Sequence, residues 1–132
     1  MDIKELLRDK RAMTDGVWVN PMPGREVEVL ARAFTPQYRE RLDGLFQEWR
    51  RLYGSERLAP ANVTMPALAD LVVEELIGGI RGLKDGDTEV SLDQVKAFAG
   101  MPEGAPIYQM LLSAVERADA RRESDAKAAA GN

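Results

Sequence analysis

Residues 15 to 30 read Asp15-Gly16-Val17-Trp18-Val19-Asn20-Pro21-Met22-Pro23-Gly24-Arg25-Glu26-Val27-Glu28-Val29-Leu30. Two β-prone runs flank a turn that holds two prolines and a glycine, which predicts a β-hairpin. Val27 and Val29 alternate with Glu26 and Glu28, so the second strand has one apolar and one wet face. A two-stranded hairpin is unstable alone, and its apolar face must lie against helices. Trp18 reads first as an anchor of that contact, because a large aromatic buries so much area, and second as a binding residue.

Immediately downstream, Thr35-Pro36 predicts a helix start, with Thr as N-cap and Pro at the first helical position. Tyr38, Leu42, Leu45, Phe46, Trp49, Leu52 and Tyr53 follow at steps of three and four. Arg39, Arg41, Asp43, Glu48, Arg50 and Arg51 take the other side, and Gly54 stops the helix. At roughly 1.5–3 kcal/mol per fully buried large apolar side chain, this stripe is the expected centre of the core rather than a cofactor box. Ser55 to Thr64 reads as a loop. A second helix is expected from about Pro66 to Ile80, with Leu68, Leu71, Val72, Leu76 and Ile80 on one face and Gly78-Gly79 and Gly82 ending it.

Leu83 to Val90 reads as an acidic loop. Ser91-Leu92-Asp93-Gln94 is a capping box that opens a short helix through Ala99, closed by Gly100. After a connector from Met101 to Ala105, Pro106 opens the last helix, striped by Ile107, Met110, Leu111, Ala114, Val115 and Ala118. At the other end, residues 2–12 predict a short amphipathic helix with Asp2 and Glu5 at capping-box spacing. Its stripe of Ile3, Leu6 and Leu7 must dock on the chain's own core or, as the alternative, on a partner. The expected fold is therefore α+β, mainly α, with an N-terminal β-hairpin packed on four or five helices. Residues 1–120 form a single globular domain, and 121–132 a charged, Ala-rich C-terminal tail that is either fraying helix or disordered.

The 132 residues make one domain by length, and 45% hydrophobic with 30% charged is the mix of a soluble globular chain. With 18 Lys+Arg against 22 Asp+Glu the net charge is −4, which argues against a nucleic-acid partner. The absence of Cys and His removes disulfides, thiol nucleophiles, Ser-His-Asp triads and His metal sites. The first residues are too charged for a signal peptide, so cytoplasm is the expected compartment. The longest apolar stretch, Leu68 to Ile80, is interrupted by Asp70, Glu74 and Glu75, which argues against a membrane partner.

Asp85, Asp87 and Glu89 alternate, but a calcium loop starting at Asp85 needs Gly sixth and Glu twelfth, where this chain has Val90 and Lys96. Glu74 and Glu75 are adjacent on a helix and point about 100° apart, so they make no obvious acid–base dyad. Gly78-Gly79-Ile80-Arg81-Gly82 has neither the P-loop Lys-Ser/Thr nor the dinucleotide spacing. A helix-turn-helix over Ser91 to Ala118 would have a long connector and a second helix with no Arg or Lys before Arg117. No catalytic, cofactor-binding or metal-ligating residue is assigned, no cofactor is expected, and the chain does not read as an enzyme. Charge is uneven: residues 65–95 hold seven acids against Arg81 and Lys84, a net −5 that leaves +1 for the remainder. That face is either solvated surface or a means of steering a basic partner.

The order of these features resembles the tail assembly chaperones of long-tailed, siphovirus-type bacteriophages and prophages. The resemblance runs over about residues 15 to 120. It is carried by Asp15-Gly16-Val17-Trp18-Val19, the Pro-Gly turn, Glu26-Val27-Glu28-Val29-Leu30-Ala31-Arg32, and the helix opened by Pro36-Gln37-Tyr38. It continues through Leu71-Val72-Val73-Glu74-Glu75-Leu76, a turn with Asp85-Gly86, Glu89-Val90, the capped helix from Ser91 and the last helix from Pro106. The family often has a tryptophan before its Asp-Gly turn, where this chain has Val73-Glu74-Glu75. The resemblance implies a non-enzymatic protein of the host bacterial cytoplasm, absent from the mature virion. Its implied partners are the tape measure protein and the tail tube protein, with self-association as a further contact. The alternatives are a structural head–tail or tail component of the virion, or a small DNA-binding regulator. An apolar face must remain to receive a client helix. The residues expected to supply it are Trp18 and Phe34 beside the hairpin, and Ile107, Met110 and Leu111 at the start of the last helix.

Overall fold

A computed structural model of the chain describes residues 1–130. The hairpin forms as expected: β1 (Val17–Val19) pairs antiparallel with β2 (Glu28–Ala31), matching Val17 to Ala31, Trp18 to Leu30 and Val19 to Val29. Its turn is held by Asn20, whose side-chain amide donates to the Arg25 carbonyl at 2.8 Å and whose side-chain oxygen accepts from the Met22 N–H at 2.8 Å. After a short helix α1 (Lys10–Met13) before the hairpin, α2 (Pro36–Tyr53) follows it with the expected bounds. Thr35 caps α2 by accepting from the Tyr38 N–H, and Gly54, at φ 87°, closes it in the left-handed region that favours glycine.

The next element departs from expectation at both ends. Helix α3 spans Ala61–Leu76, so it opens five residues before Pro66, which sits inside it and costs one backbone hydrogen bond near its start. The chain then passes directly into a strand, β3 (Ile77–Arg81), which pairs antiparallel with β2 and makes β2 the central strand of a three-stranded sheet. Gly78-Gly79 are poor helix formers, and the Arg32 N–H donating to the Leu76 carbonyl at 2.8 Å starts the ladder where the helix stops. Leu30 faces Gly79 and Ala31 faces Ile77, which leaves Gly78 as the extra residue of a bulge. A Cβ on Gly78 would come within 3.1 Å of the Leu30 side chain, and one on Gly79 within 3.3 Å of the Trp18 ring, so both glycines leave room for larger neighbours.

The acidic loop is also ordered: β4 (Lys84–Asp85) and β5 (Thr88–Glu89) form a small hairpin about Gly86. Two helices then pack behind it, α4 (Leu92–Ala99) and α5 (Ala105–Ala120). The Ser91–Gln94 capping box opens α4 as expected. The core lies between the sheet, α3 and α5. Leu71, Val72 and Leu76 from α3, Val29 and Ala31 from β2, and Leu111, Ala114, Val115 and Ala118 from α5 are almost wholly out of solvent. The expected centre, the α2 stripe, is peripheral: Tyr38 joins this core, whereas Trp49 is buried outside it and Leu52 is 52% exposed.

The N-terminal segment does not make one helix docked on the core. Asp2 and Glu5 do form the capping box, but around a single 3-10 turn at Ile3–Glu5, and Ile3 and Leu6 are exposed. The segment is instead held by backbone and ionic contacts to the far end of the chain. The Glu123 N–H donates to the Leu7 carbonyl, Arg8 meets Asp119 at 2.6 Å, and Arg121 meets the buried Asp9 at 3.2 Å. Residues Glu123–Ala130 form α6; the end of the expected tail, Gly131 and Asn132, lies outside the described residues. The fold is α+β, mainly α. Among the described residues no helix is long and apolar enough to cross a membrane.

Candidate docking surface

Strand alternation sends Val17, Val29 and Ala31 inward to the helices and turns Trp18, Leu30 and Gly79 outward as one row across the three strands. Trp18 is 39% exposed, so it is a surface aromatic and not the core anchor its size suggested. Gly79 leaves space beneath its ring, and the Arg81 guanidinium lies 4.0 Å from the ring centroid. Arg81 is itself held by Glu28 at 3.1 Å. This cation–π stack holds the indole against the sheet and leaves part of it exposed.

Phe34 belongs to a different neighbourhood. Its ring lies 5.6 Å from that of Tyr38 and 5.9 Å from the Arg39 guanidinium carbon, and its N–H donates to Asp119 at 3.2 Å. It therefore fastens the start of α2 to the end of α5 and does not extend the Trp18 surface.

At the start of α5 the structure separates the three expected residues. Leu111 is fully buried and Met110 is 7% exposed, so both are core and neither is available as docking surface in this conformation. The heptad-like stripe that singled them out is the face α5 turns to the sheet. Ile107 alone remains at the surface, where it joins Leu83, Val90 and Phe98 in an open groove of about 260 Å³ between the β4–β5 hairpin, α4 and α5. Phe98 is 36% exposed, and Met101, whose N–H donates to the Phe98 carbonyl, is 39% exposed beside it. Gly104 holds the two helices close, because a Cβ there would overlap the Phe98 carbonyl.

Sequence reading missed Phe98 and Leu83. Phe98 sits one position off the Leu92, Val95, Ala99 stripe, which was a legible sign that it lies at the edge of the buried face. Leu83 gave no such sign, since its place depends on the unexpected strand before it.

The charged groups near this groove are unevenly placed. Asp85 and Lys84 line it, and the elements that frame it add Asp87, Glu89 and Asp93. Lys96 on the same helix is turned to Glu74 at 3.8 Å. Glu89 accepts the Gly82 N–H at 3.0 Å. Glu74 and Glu75 both engage Arg41, at 3.0 Å each, as a link between α3 and α2. Among the described residues, no three Asp or Glu side chains are gathered where they could hold a metal ion. What this arrangement can do is hold apolar side chains beside a hairpin and a helix start on which Asp85, Asp87, Glu89 and Asp93 outnumber Lys84. No protein-family model, no curated protein and no solved structure matches this chain.

Proposed function

We propose that this protein is a non-enzymatic tail assembly chaperone of a long-tailed phage or prophage. It covers apolar seams of the tape measure protein in the host cytoplasm, helps recruit tail tube subunits, and leaves before the particle is complete. The observation that carries this reading is apolar surface left open among the packed elements: Trp18 on the sheet, and Phe98 and Ile107 in the groove, with Met101 exposed after Phe98. Within the groove Leu83, Val90, Phe98 and Ile107 make one contiguous apolar surface, the kind that marks a site for another macromolecule. A client that is a long helix with exposed apolar seams fits a groove able to accept anchors spaced along one helical face. The order of hairpin, capped helix and capped short helix supports the family resemblance on which the client's identity rests.

The test is co-expression with the tape measure protein of the phage or prophage that carries this gene. The expected result is a soluble complex of the two and no trace of this chain in purified particles. A tape measure protein that stays insoluble defeats the reading. A chain that persists in the particle moves it to the structural class.

A further inference from the structure

We infer that the groove formed by Leu83, Val90, Phe98 and Ile107 is the client site, and that it selects a helix whose apolar seam is flanked by Lys and Arg. The client's being a long helix rests on the chaperone reading above; the choice of groove and of charge rests on the structure alone.

Ile3 and Leu6 are exposed on and beside a single 3-10 turn, too short to present a docking face, and the two apolar surfaces set among longer elements compete for the role. Around Trp18 the indole face is partly covered by the Arg81 guanidinium, which Glu28 holds, and the adjoining hollow is lined by Arg11, Asp15 and Arg121 and so is polar on one side. A partner there would have to displace a cation–π contact. The groove offers the opposite situation. Its floor is apolar and concave, with space for one or two large side chains, so anchors one helical turn apart can enter it. Asp85, Asp87 and Asp93 make no ion pair among the described residues and outnumber Lys84, the cation in the groove lining, while the nearby Lys96 is drawn away to Glu74. A helix with acidic flanks would meet like charge here. One with basic flanks would meet complementary potential that both steers it in and fixes its register. This acidic excess therefore supplies what an apolar groove lacks, a reason to prefer one amphipathic helix over another.

The full chain should be titrated calorimetrically with two synthetic amphipathic helices of about five turns. One pairs Leu with Lys and the other pairs Leu with Glu. The Leu/Lys helix is expected to bind at least about tenfold more tightly, with affinity that falls as salt is raised. Amide shifts should centre on Leu83, Phe98 and Ile107. Phe98→Ser should weaken binding about tenfold or more, in the manner of a truncated hot spot. Asp85→Asn combined with Asp93→Asn should flatten the salt dependence, and Leu52→Ser on α2 should change nothing. Equal binding of the two helices, or shifts centred on Trp18 or α2, overturns the inference. So does sedimentation showing the groove filled by a second copy of the chain. The two readings fail separately. A chain that takes the Leu/Lys helix in this groove but leaves the tape measure protein insoluble keeps the groove and loses the chaperone. A chain whose Phe98→Ser form solubilises the tape measure protein as well as wild type keeps the chaperone and loses the groove.

Discussion

Helices α2 and α3 are near neighbours in length and sequence position, yet they do opposite work. Helix α2 alternates Arg and Glu with a long aromatic stripe, and most of its apolar residues remain partly exposed. Helix α3 has a weak stripe, and Leu71, Val72 and Val73 are buried in succession, so it is enclosed on more than one side. The contrast follows from what amphipathicity records. A sharp division between apolar and charged faces is what a helix needs when one face meets water, whereas a helix that is apolar nearly all round belongs inside. The most conspicuous stripe in the sequence therefore marks the wall of the domain and not its centre. Trp49 illustrates this: it is 4% exposed but lies against Phe46, with ring centroids 5.8 Å apart, in a satellite cluster outside the main core.

Truncating one large side chain in each helix tests that division. Leu76→Ala removes a fully buried residue at the point where α3, the sheet and α5 meet, and should cost about 3–5 kcal/mol, with amide protection falling throughout the domain. Trp49→Ala should cost about 3 kcal/mol, with protection lost chiefly over the second half of α2 and the turn at Glu56–Leu58. Urea midpoints and hydrogen exchange on both variants measure this. If Trp49→Ala unfolds the whole domain and Leu76→Ala only part of it, the assignment of centre and wall is reversed.

What could be read in the sequence was local chemistry. Thr35-Pro36 and Gly54 bounded α2, the Ser91–Gln94 box opened α4, and the alternation of Val27 and Val29 put the correct face of β2 inward. What could not be read depended on a distant partner. Ile77–Arg81 continues the helical spacing of α3, and only the open edge of β2 makes strand the better state for it. The same strand carries Gly79 and Arg81 to Trp18, so the exposure of that tryptophan was hidden as well. Ile3, Leu6 and Leu7 had the spacing of a docking helix. Their segment is fixed instead by Asp9 to Arg121 and Arg8 to Asp119, contacts separated by more than a hundred residues. The groove required both the third strand and the close approach at Gly104, and of its lining only Ile107 was foreseen.

Alkaline pH probes the contact of α2 with the centre. Burial pushes the Tyr108 hydroxyl up to about 12, with Tyr38 adding to the effect, and Tyr38 is itself raised by burial while Arg39 pulls it back. In the unfolded chain both titrate near about 10. Between these values the native state holds protons that the unfolded state has released, so stability is full below about pH 10 and is lost as pH rises towards about 12. Tyrosinate absorbance should show at least one residue titrating well above the ordinary range, and Tyr108→Phe should flatten the loss of urea stability over that window. Tyrosines that all titrate near 10 would mean that water reaches the Tyr108 and Tyr38 hydroxyls.

The smallest effect is expected from the charges that join the two helices on the outside. Arg41 reaches Glu74 and Glu75 of α3 at 3.0 Å each, and this pairing holds its guanidinium more firmly protonated. Its side chain is nonetheless 47% exposed, so water and salt screen the attraction and ordering three long side chains costs entropy. Arg41→Ala should therefore lower stability by less than about 1 kcal/mol, and that difference should shrink further as salt is raised. The comparison with Leu76→Ala carries the meaning. A wall helix attached through Tyr38 and its apolar neighbours keeps its place when Arg41 is lost, and amide protection along α2 stays near wild type. A loss above about 2 kcal/mol that persists at high salt would instead make the ion pair the attachment, and α2 would be a charged strap laid over a core complete without it.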